Sequence, residues 1–236
     1  MDSPEPHPHR APVLVLCSHG TRNPSGRATV GALCAALRTR RPGLDVRLAF
    51  VDVHGPYVAD KVAALIASGR SVVVVPVLFS SGYHVQVDVG RAVKPFDQAV
   101  STGPLGPHPL LADVLASRLV EAGGQPGDAV VLAAAGSSRP ATLEDVSAMA
   151  DLLQERWSGP VSVGYGTIAQ PSVGDAVAAA RASGATRVLV ASYLLAPGHF
   201  HSSLASGGAD AVTEPLGTDP RVLDVILERF DAASRS

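Results

Sequence analysis

VLVLCSHGTRNP, at residues 13–24, is followed 116 residues later by the similar stretch AVVLAAAGSSRP, at residues 129–140. In both stretches a run of apolar residues leads into a Gly-containing turn and then a Pro, the pattern of a buried strand followed by a helix. The same offset relates Gly82 to Gly198. We expect it to relate two late segments as well, TGPLGPHPLLADVL and VTEPLGTDPRVLDVI. Three separated matches predict that the chain is an internal duplication.

Strand and helix patterns alternate within each half. The stretch from Val72 to Phe79 is rich in β-branched residues, as expected of a parallel strand buried on both faces. The first-half strands are predicted at 13–16, 46–53, 72–79 and 100–105, and the helices at 27–40, 57–67, 85–94 and 109–122. This order predicts an α/β fold of two tandem lobes, each a small parallel sheet flanked by helices in a flavodoxin-like three-layer arrangement. Ligands bind outside the carboxyl ends of such strands, so two facing lobes would enclose an active-site cleft.

The Gly- and Pro-rich stretch EAGGQPGD, at residues 121–128, is the predicted boundary between the lobes. We expect a disordered tail at 1–11, an N-terminal lobe at 12–124 and a homologous C-terminal lobe at 125–236. One chain with two lobes can supply both walls of the cleft. This favours a monomer, with a homodimer as the alternative.

The overall composition excludes several classes of function. The 236 residues carry a formal net charge of −2, so no basic field is present to hold nucleic acid. The longest apolar run falls far short of the roughly 18–20 residues that a membrane span needs. Cys17 and Cys34 form no CxxC pair, which argues for a reducing compartment and against a disulfide or zinc-thiolate site. The start of the chain lacks the apolar segment of a signal peptide, so we expect a cytoplasmic protein without nucleic-acid or membrane partners.

Two histidines follow predicted strands at the same edge of the first sheet. His19 comes directly after the first strand, and His84 follows the third strand after a turn at residues 80–83. Asp52 ends the second strand. Two imidazoles and a carboxylate suit Fe(II), Co(II) or Ni(II), and imidazole also accepts a proton near neutral pH. Each residue alone also fits a structural role, such as a hydrogen-bonded histidine or a capping carboxylate. His54 either joins the set or is simply exposed.

The second lobe lacks both histidines. Ala135 and Phe200 stand where the first lobe has His19 and His84. We therefore interpret the second lobe as a degenerate copy whose role is to complete the wall of the cleft.

Several polar groups are candidates for binding an anionic ligand at the cleft. Arg22 and Arg139 follow the first strand of each lobe, and arginine pairs with carboxylates through bidentate hydrogen bonds. A solvated surface position is the alternative for each. His199 and His201 have a spacing that can bind metal, although such pairs also occur as solvent-facing residues. The candidate substrate-binding residues are Ser18, Arg22, Ser81, Gly82, Tyr83, Gly136, Arg139, His199 and His201.

Two motifs of the first lobe resemble those of the sirohydrochlorin chelatases, a family of class II tetrapyrrole chelatases. The family opens with a strand and then S-H-G-S/T-R, which matches Ser18–Arg22. Its second pattern, P-x-x-F/L-x-x-G-x-H-V-x-x-D, matches the residues from Pro76 to Asp88. The acidic position between them, often Glu in the family, is Asp52 here. The resemblance covers the whole first lobe, and the second lobe fits the two-lobe form of the family.

This resemblance implies a lyase-type chelatase that inserts Fe(II), Co(II) or Ni(II) into the tetrapyrrole sirohydrochlorin. It implies that His19 and His84 are catalytic and bind the metal, with Asp52 as a further metal ligand. Iron insertion gives sirohaem and cobalt insertion feeds cobalamin synthesis; we favour Fe(II) because sirohaem is the more widely needed product. The metal is then a substrate, and no tightly bound cofactor is expected. Both histidine roles require neutral imidazole, so we expect activity to fall below about pH 6.

Two alternatives use the same two-lobe architecture. The first is a non-catalytic carrier that binds a tetrapyrrole or a metal ion in the cleft without turnover. The second is a sugar- or nucleotide-binding protein of the periplasmic type, against which the small lobes and the absence of a recognisable signal peptide count.

Overall fold

Each half of the chain forms its own parallel sheet. The computed structural model describes residues 11–80 and 83–235, with the backbone alone for residues 83–86 and 206. Residues 1–10, which hold most of the predicted tail, lie outside this description. The first sheet contains β1 (Val13–Ser18), β2 (Val46–Phe50), β3 (Val72–Pro76) and β4 (Ala99–Ser101), in the order β2-β1-β3-β4. The second contains β5 (Ala129–Ala134), β6 (Val161–Tyr165), β7 (Val188–Ser192) and β8 (Ala211–Val212), in the order β6-β5-β7-β8.

Helices connect the strands of both sheets. Those of the first half are α1 (Pro24–Arg40), α2 (Val58–Ala67), α3 (Tyr83–Val93) and α4 (Pro109–Glu121). Those of the second half are α5 (Pro140–Gln154), α6 (Val173–Ala182), α7 (His199–Leu204) and α8 (Pro220–Ser234). The predicted fold class is therefore confirmed. Over the residues described, none of these helices is both long enough and apolar enough to pass through a membrane.

The central strand of each sheet marks the point where a ligand site is expected. Cys17 of β1 pairs with Ala49 of β2 on one side and with Pro76 of β3 on the other. The chain passes from β1 to β2 on one side of the sheet and from β3 to β4 on the other side. The loops after β1 and β3 therefore diverge at the carboxyl edge of the sheet. The second sheet repeats this arrangement around β5.

Three predicted strands end earlier than expected, and one of them is β4, which stops at Ser101 instead of residue 105. β2 stops at Phe50 instead of residue 53, because the chain turns back and Phe50 forms an isolated bridge with Tyr57. β3 stops at Pro76 instead of Phe79; proline has no N–H to continue a ladder, and residues 77–80 leave the sheet to line the cleft. Because β2 ends at Phe50, Asp52 lies in the loop after this strand and does not end it.

The predicted offset of 116 relates β1 to β5 and β3 to β7, but it does not hold along the whole of each half. After β2 and β6 the matching residues are 115 apart, since the bridge between Phe50 and Tyr57 corresponds to that between Tyr165 and Ser172. In the late segments the backbone N–H of Leu105 bonds to Leu78, and that of Leu216 bonds to Leu194. The acceptors Leu78 and Leu194 are 116 residues apart, whereas the donors Leu105 and Leu216 are 111 apart. The expectation of a constant offset was therefore wrong, because the second half is five residues shorter between these two positions.

The final helix of each half packs on the sheet of the other half. Helix α8 contacts β3, and helix α4 contacts β7. The buried residues of α8 include Val222, Ile226 and Phe230, which recur every four residues along one face. They belong to one apolar core that runs through both halves. Full burial of each such side chain contributes roughly 1.5–3 kcal/mol, so the exchange of helices is a main source of cohesion between the lobes.

Polar contacts at the surface reinforce this exchange. Arg41, at the end of α1, forms a two-pronged ion pair with Asp231 of α8. Arg40 pairs with Asp224 of the same helix. These pairs are partly exposed, and each contributes about 0–1 kcal/mol, so they orient α8 more than they hold it.

Candidate active site

A cavity of about 660 Å³ lies between the lobes at the carboxyl ends of the central strands. We call it the central cleft. The first lobe lines it with His19 and residues 77–80. The second lobe lines it with residues 134–139, Thr142, Ile168 and residues 193–195. Both lobes therefore contribute to one site, as the duplicated sequence predicts.

An aromatic pair joins the lobes within the central cleft. The rings of Phe79 and Tyr193 stack with their centroids 5.0 Å apart. The buried Tyr193 hydroxyl donates a hydrogen bond of 2.9 Å to the carbonyl oxygen of Phe79. Burial raises the pKa of the Tyr193 hydroxyl far above its ordinary value, so the hydroxyl remains a donor at any working pH. Gly106 gives this hydroxyl room, since a Cβ there would lie 1.8 Å from it.

His19 is exposed and lies at the edge of the central cleft, opposite the second lobe. Its position depends on Gly20, whose φ is +100°. A Cβ at Gly20 would lie 2.2 Å from the carbonyl oxygen of Asp52, so only glycine allows the loop after β2 to pass this closely. The backbone N–H of Asp52 in turn donates to the carbonyl oxygen of His19 at 3.0 Å. The loop after β2 thus supports His19 from behind.

His84 lies in the first turn of α3, and its backbone alone is described. Since β1 and β3 are parallel neighbours, the segments that carry His19 and His84 leave the sheet at the same edge. Of the other residues predicted in this loop, Ser81 and Gly82 lie outside the described part of the chain, as does the side chain of Tyr83.

Asp52 does not line the central cleft. It lies instead in an adjoining cavity of about 630 Å³, which we call the side cavity. One carboxylate oxygen of Asp52 accepts the backbone N–H of Val53 at 2.6 Å. The side cavity is lined by Thr21, Arg22, Asn23, Asp52, Val53, His199 and Ser202. The structure therefore places Asp52 and His19 in adjoining spaces, and no group of three His, Cys, Asp or Glu side chains suited to a metal occurs among the described residues.

Of the remaining histidines near the site, two make structural contacts and one lines the side cavity. His54 packs edge-on against Phe50, with ring centroids 4.1 Å apart, and its Nδ1 lies 3.2 Å from the carbonyl oxygen of Gly55. A ring nitrogen of His201 lies 3.0 Å from the carbonyl oxygen of Thr213. Neither histidine lines the central cleft or the side cavity. His199 is exposed and does line the side cavity, so the HxH pair is divided between two environments.

The other candidate binding residues are divided in the same way. Arg22 is exposed in the side cavity, and Arg139 is half-buried in the central cleft together with Gly136. The backbone N–H of Arg139 donates to the hydroxyl of Ser137 at 3.2 Å. Ser18 ends β1 and lines neither space.

Cys17, two residues before His19, takes no part as a metal ligand. It is fully buried in β1, and this burial raises the pKa of its thiol to about 12. The thiol is therefore protonated near neutral pH, whereas a metal binds the thiolate.

The family model CbiX matches residues 13–122 and again residues 129–233. The chain belongs to the CbiX family. This confirms the resemblance inferred from the two motifs of the first lobe. The two matches, one in each half, also agree with the duplication.

Known relatives of this CbiX-family chain include chelatases of two kinds. A sirohydrochlorin ferrochelatase from Priestia megaterium is 26% identical over 199 residues, an alignment that covers 79% of this chain and 73% of that protein. A sirohydrochlorin cobaltochelatase from Methanococcoides burtonii is 26% identical over 124 residues, covering 46% of this chain and 94% of that protein. Nearly the whole of that shorter relative therefore corresponds to about half of this chain.

The solved structure of SirB from Bacillus subtilis with Fe3+ has the same fold. It superimposes with a TM-score of 0.80 at 18% identity, covering 95% of this chain and 96% of that one. The two-lobe arrangement described above is thus shared over almost the full length of both chains.

Sequence reasoning predicted only His19, Gly136 and Arg139 among the residues that line the central cleft of this CbiX-family chain; those it missed include Phe79, Tyr193 and Ile168. Phe79 and Tyr193 follow buried strands, so their place at the carboxyl edge was a usable signal. Ile168 gave no signal, because nothing in its local sequence marks it as exposed.

Proposed function

We propose that this protein is a chelatase that inserts a divalent metal ion into sirohydrochlorin. The observation that supports this most is the position of His19, held at the edge of an interlobe cleft in a chain of the CbiX family. Sirohydrochlorin has a flat apolar ring with carboxylates around its rim. The central cleft offers the ring apolar walls, including Phe79, Leu194 and Leu195.

Charged groups around the cleft suit the carboxylates of this substrate. Arg22 lies in the side cavity, and Arg139 lies in the central cleft on the opposite lobe. Guanidinium groups bind carboxylates through paired hydrogen bonds, so the two arginines would fix the rim of the ring at opposite ends. His199 adds a further polar group beside Arg22.

Metal insertion replaces the two pyrrole N–H protons of the ring with one divalent cation and releases both protons. His19, when neutral, can accept one of these protons or carry the incoming metal ion. We assign to His84 whichever of these two roles His19 does not take, since the backbone of His84 leaves the sheet at the same edge. Asp52 remains a candidate for assisting the metal from the side cavity. One oxygen of its carboxylate accepts the N–H of Val53, and the second oxygen can still accept a proton or bind a cation.

The metal is the finer part of this proposal. We favour Fe(II), with Co(II) and Ni(II) as alternatives, since borderline nitrogen ligands accept all three. The known relatives include both a ferrochelatase and a cobaltochelatase, so relationship alone does not choose between them.

The first experiment counts product. Purified protein is incubated without oxygen with excess sirohydrochlorin and Fe(II), Co(II) or Ni(II) in turn, and insertion is followed by the absorbance of the ring. We expect many metallated rings per chain with at least one metal. One metallated ring or fewer per chain with every metal would contradict the enzyme proposal and favour the non-catalytic carrier.

The second experiment tests the histidines. We expect His19→Ala and His84→Ala each to lower the insertion rate by about 10²- to 10⁴-fold, the usual contribution of a positioned proton-transfer group. His108→Asn is the control, because His108 caps α4 outside both cavities and Asn also caps helices well. Unchanged rates in both alanine variants would remove the assignment of the site.

A further inference from the structure

Two three-residue turns, one in each lobe, hold a β-branched residue in a conformation that such residues rarely adopt. The backbone N–H of His54 donates to the carbonyl oxygen of Asp52, and that of Ala169 donates to the carbonyl oxygen of Thr167. The central residues are Val53, with φ +69°, and Ile168, with φ +50°. A positive φ places the Cβ of a branched residue against its own backbone, so both turns are strained.

The fold explains the turns but not the residues at their centres. In both lobes a glycine after the central strand, Gly20 or Gly136, packs against the carbonyl that opens the turn. The turn is therefore a consequence of the duplicated scaffold. Glycine or asparagine would fit its central position without strain. Elsewhere in the described chain the positive-φ positions are occupied by glycine, and Val53 and Ile168 are the two exceptions.

Ile168 is also the most exposed of the large apolar residues described. Its side chain is 81% exposed, compared with 38% for Val53. It lines the central cleft, which His19, Leu194 and Leu195 also line. An isoleucine that is both strained and open to water contributes nothing to folding by its own burial. Strain of this kind persists at sites where a ligand uses it.

We propose that the turn at residues 167–169 is a rigid support that presents Ile168 to the apolar face of the substrate ring. This inference rests on the proposed function, since it takes the ligand to be a flat apolar macrocycle. The second lobe, which lacks the histidines, would then contribute an apolar contact that determines where the ring lies relative to His19. Ile168 acts in binding and positioning, and takes no part in proton transfer.

The proposal predicts opposite changes in stability and in binding. Ile168→Gly and Ile168→Asn remove the strain, so we expect the unfolding temperature to rise by about 2–4 °C. The same variants lose the apolar contact, so we expect the dissociation constant for metal-free sirohydrochlorin to increase about 10- to 100-fold. Ile168→Val keeps both the branched shape and the contact, and should bind within about threefold of wild type.

Binding is measured by titrating the ring absorbance without metal, and insertion is measured separately. Val120→Asn is the control, because Val120 is 65% exposed on α4 and lines neither cavity. Val53→Gly relieves the matching strain in the first lobe and calibrates the gain in unfolding temperature. Stabilised Ile168 variants that bind the ring as wild type does would overturn this inference.

The outcomes separate the two proposals. If the wild type inserts metal and the Ile168 variants bind the ring normally, the chelatase proposal stands and the role of Ile168 is wrong. If the wild type neither binds the ring nor inserts metal, both proposals fail. A loss of ring affinity in Ile168→Gly with near-wild-type affinity in Ile168→Val supports the role of Ile168, and insertion of many metal ions per chain by the wild type supports the chelatase proposal.

Discussion

In the first lobe the residue after the central strand is His19; in the second it is Ala135, and a glycine with positive φ follows in both. The comparison extends to the neighbouring loops. Asp52 corresponds to Thr167, whose hydroxyl donates to the carbonyl oxygen of Ala135 at 2.7 Å. The second lobe therefore keeps the loop that supports this position and replaces the group that could perform chemistry.

The third difference lies at the start of the helix after the third strand. Phe200 occupies the position of His84 and packs against Gly166, where a Cβ would lie 1.5 Å from the phenyl ring. The ring belongs to the apolar cluster between the second sheet and its helices. At the position of the histidine to which we assign a role in the first lobe, the second lobe thus has a ring that packs in its core. The comparison indicates that this duplicated unit keeps its scaffold when the histidines are replaced.

The largest expected effect on the insertion rate comes from removing the histidine from the first lobe and placing one at the matching position of the second lobe. We expect His19→Ala to reduce insertion about 10²- to 10⁴-fold, and Ala135→His added to that variant to leave the rate equally low. The reason is that Phe200 offers no second imidazole beside position 135. Insertion rates of the single and double variants, followed by ring absorbance, decide the point. Recovery of more than about tenfold would mean that the lobes are chemically interchangeable.

The paired glycines allow a sharper comparison of stability with activity. A Cβ would lie 2.2 Å from the Asp52 carbonyl oxygen at Gly20 and 2.3 Å from that of Thr167 at Gly136. We expect Gly20→Ala and Gly136→Ala to reduce the free energy of unfolding by similar amounts, about 2–4 kcal/mol in urea titrations. In conditions where both variants are folded, Gly20→Ala should slow insertion more, because it displaces His19. Equal losses of activity would argue against the special role of the first lobe.

Features of the fold that depend on neighbouring residues in the sequence were predicted, and features that depend on distant contacts were not. The order of strands and helices was readable because buried parallel strands are runs of β-branched residues and the helices carry apolar residues at helical spacing. The exchange of α4 and α8 was not readable. An apolar helix face shows that a helix is buried, but it does not show which of two similar sheets covers it.

The site shows the same division. His19 and Gly20 were found because a short motif marks them. The separation of Asp52 from the central cleft depends on the turn after Phe50, which changed where β2 ends. The left-handed conformation of Ile168 opposes its own propensity and is imposed by contacts with residues distant in sequence. No local sequence pattern predicts a positive φ at such a residue.

Acid titration would test the contact between the halves with the smallest expected effect. The hydrogen-bonded guanidinium of Arg41 holds the pKa of Asp231 below its ordinary value, and Arg221 does the same for Asp219. A carboxyl whose pKa is lower in the folded state stabilises the fold above its unfolded pKa of about 3.9. That contribution is lost as the pH falls through the folded pKa.

We therefore expect these two groups to leave the urea midpoint unchanged between pH 7 and pH 5 and to lower it below about pH 4. Asp231→Asn should reduce the free energy of unfolding at pH 7 by less than about 1 kcal/mol, since the pair is partly exposed. It should also make the acid dependence shallower. An identical acid dependence in wild type and variant would show that this ion pair does not contribute to the contact of α8 with the first half.

The exchanged helices also indicate what the second half, which lacks counterparts of His19 and His84, contributes to the fold of the first half. A protein truncated after α4 would retain His19 but would lack α8, which lies against β3. The apolar surface of Val73 and Val75 would then face water, and α4 would have lost the strand on which it rests. We therefore expect the first half of this chain, expressed alone, to be less stable than the same half in the full chain, unless another copy covers β3 in the place of α8.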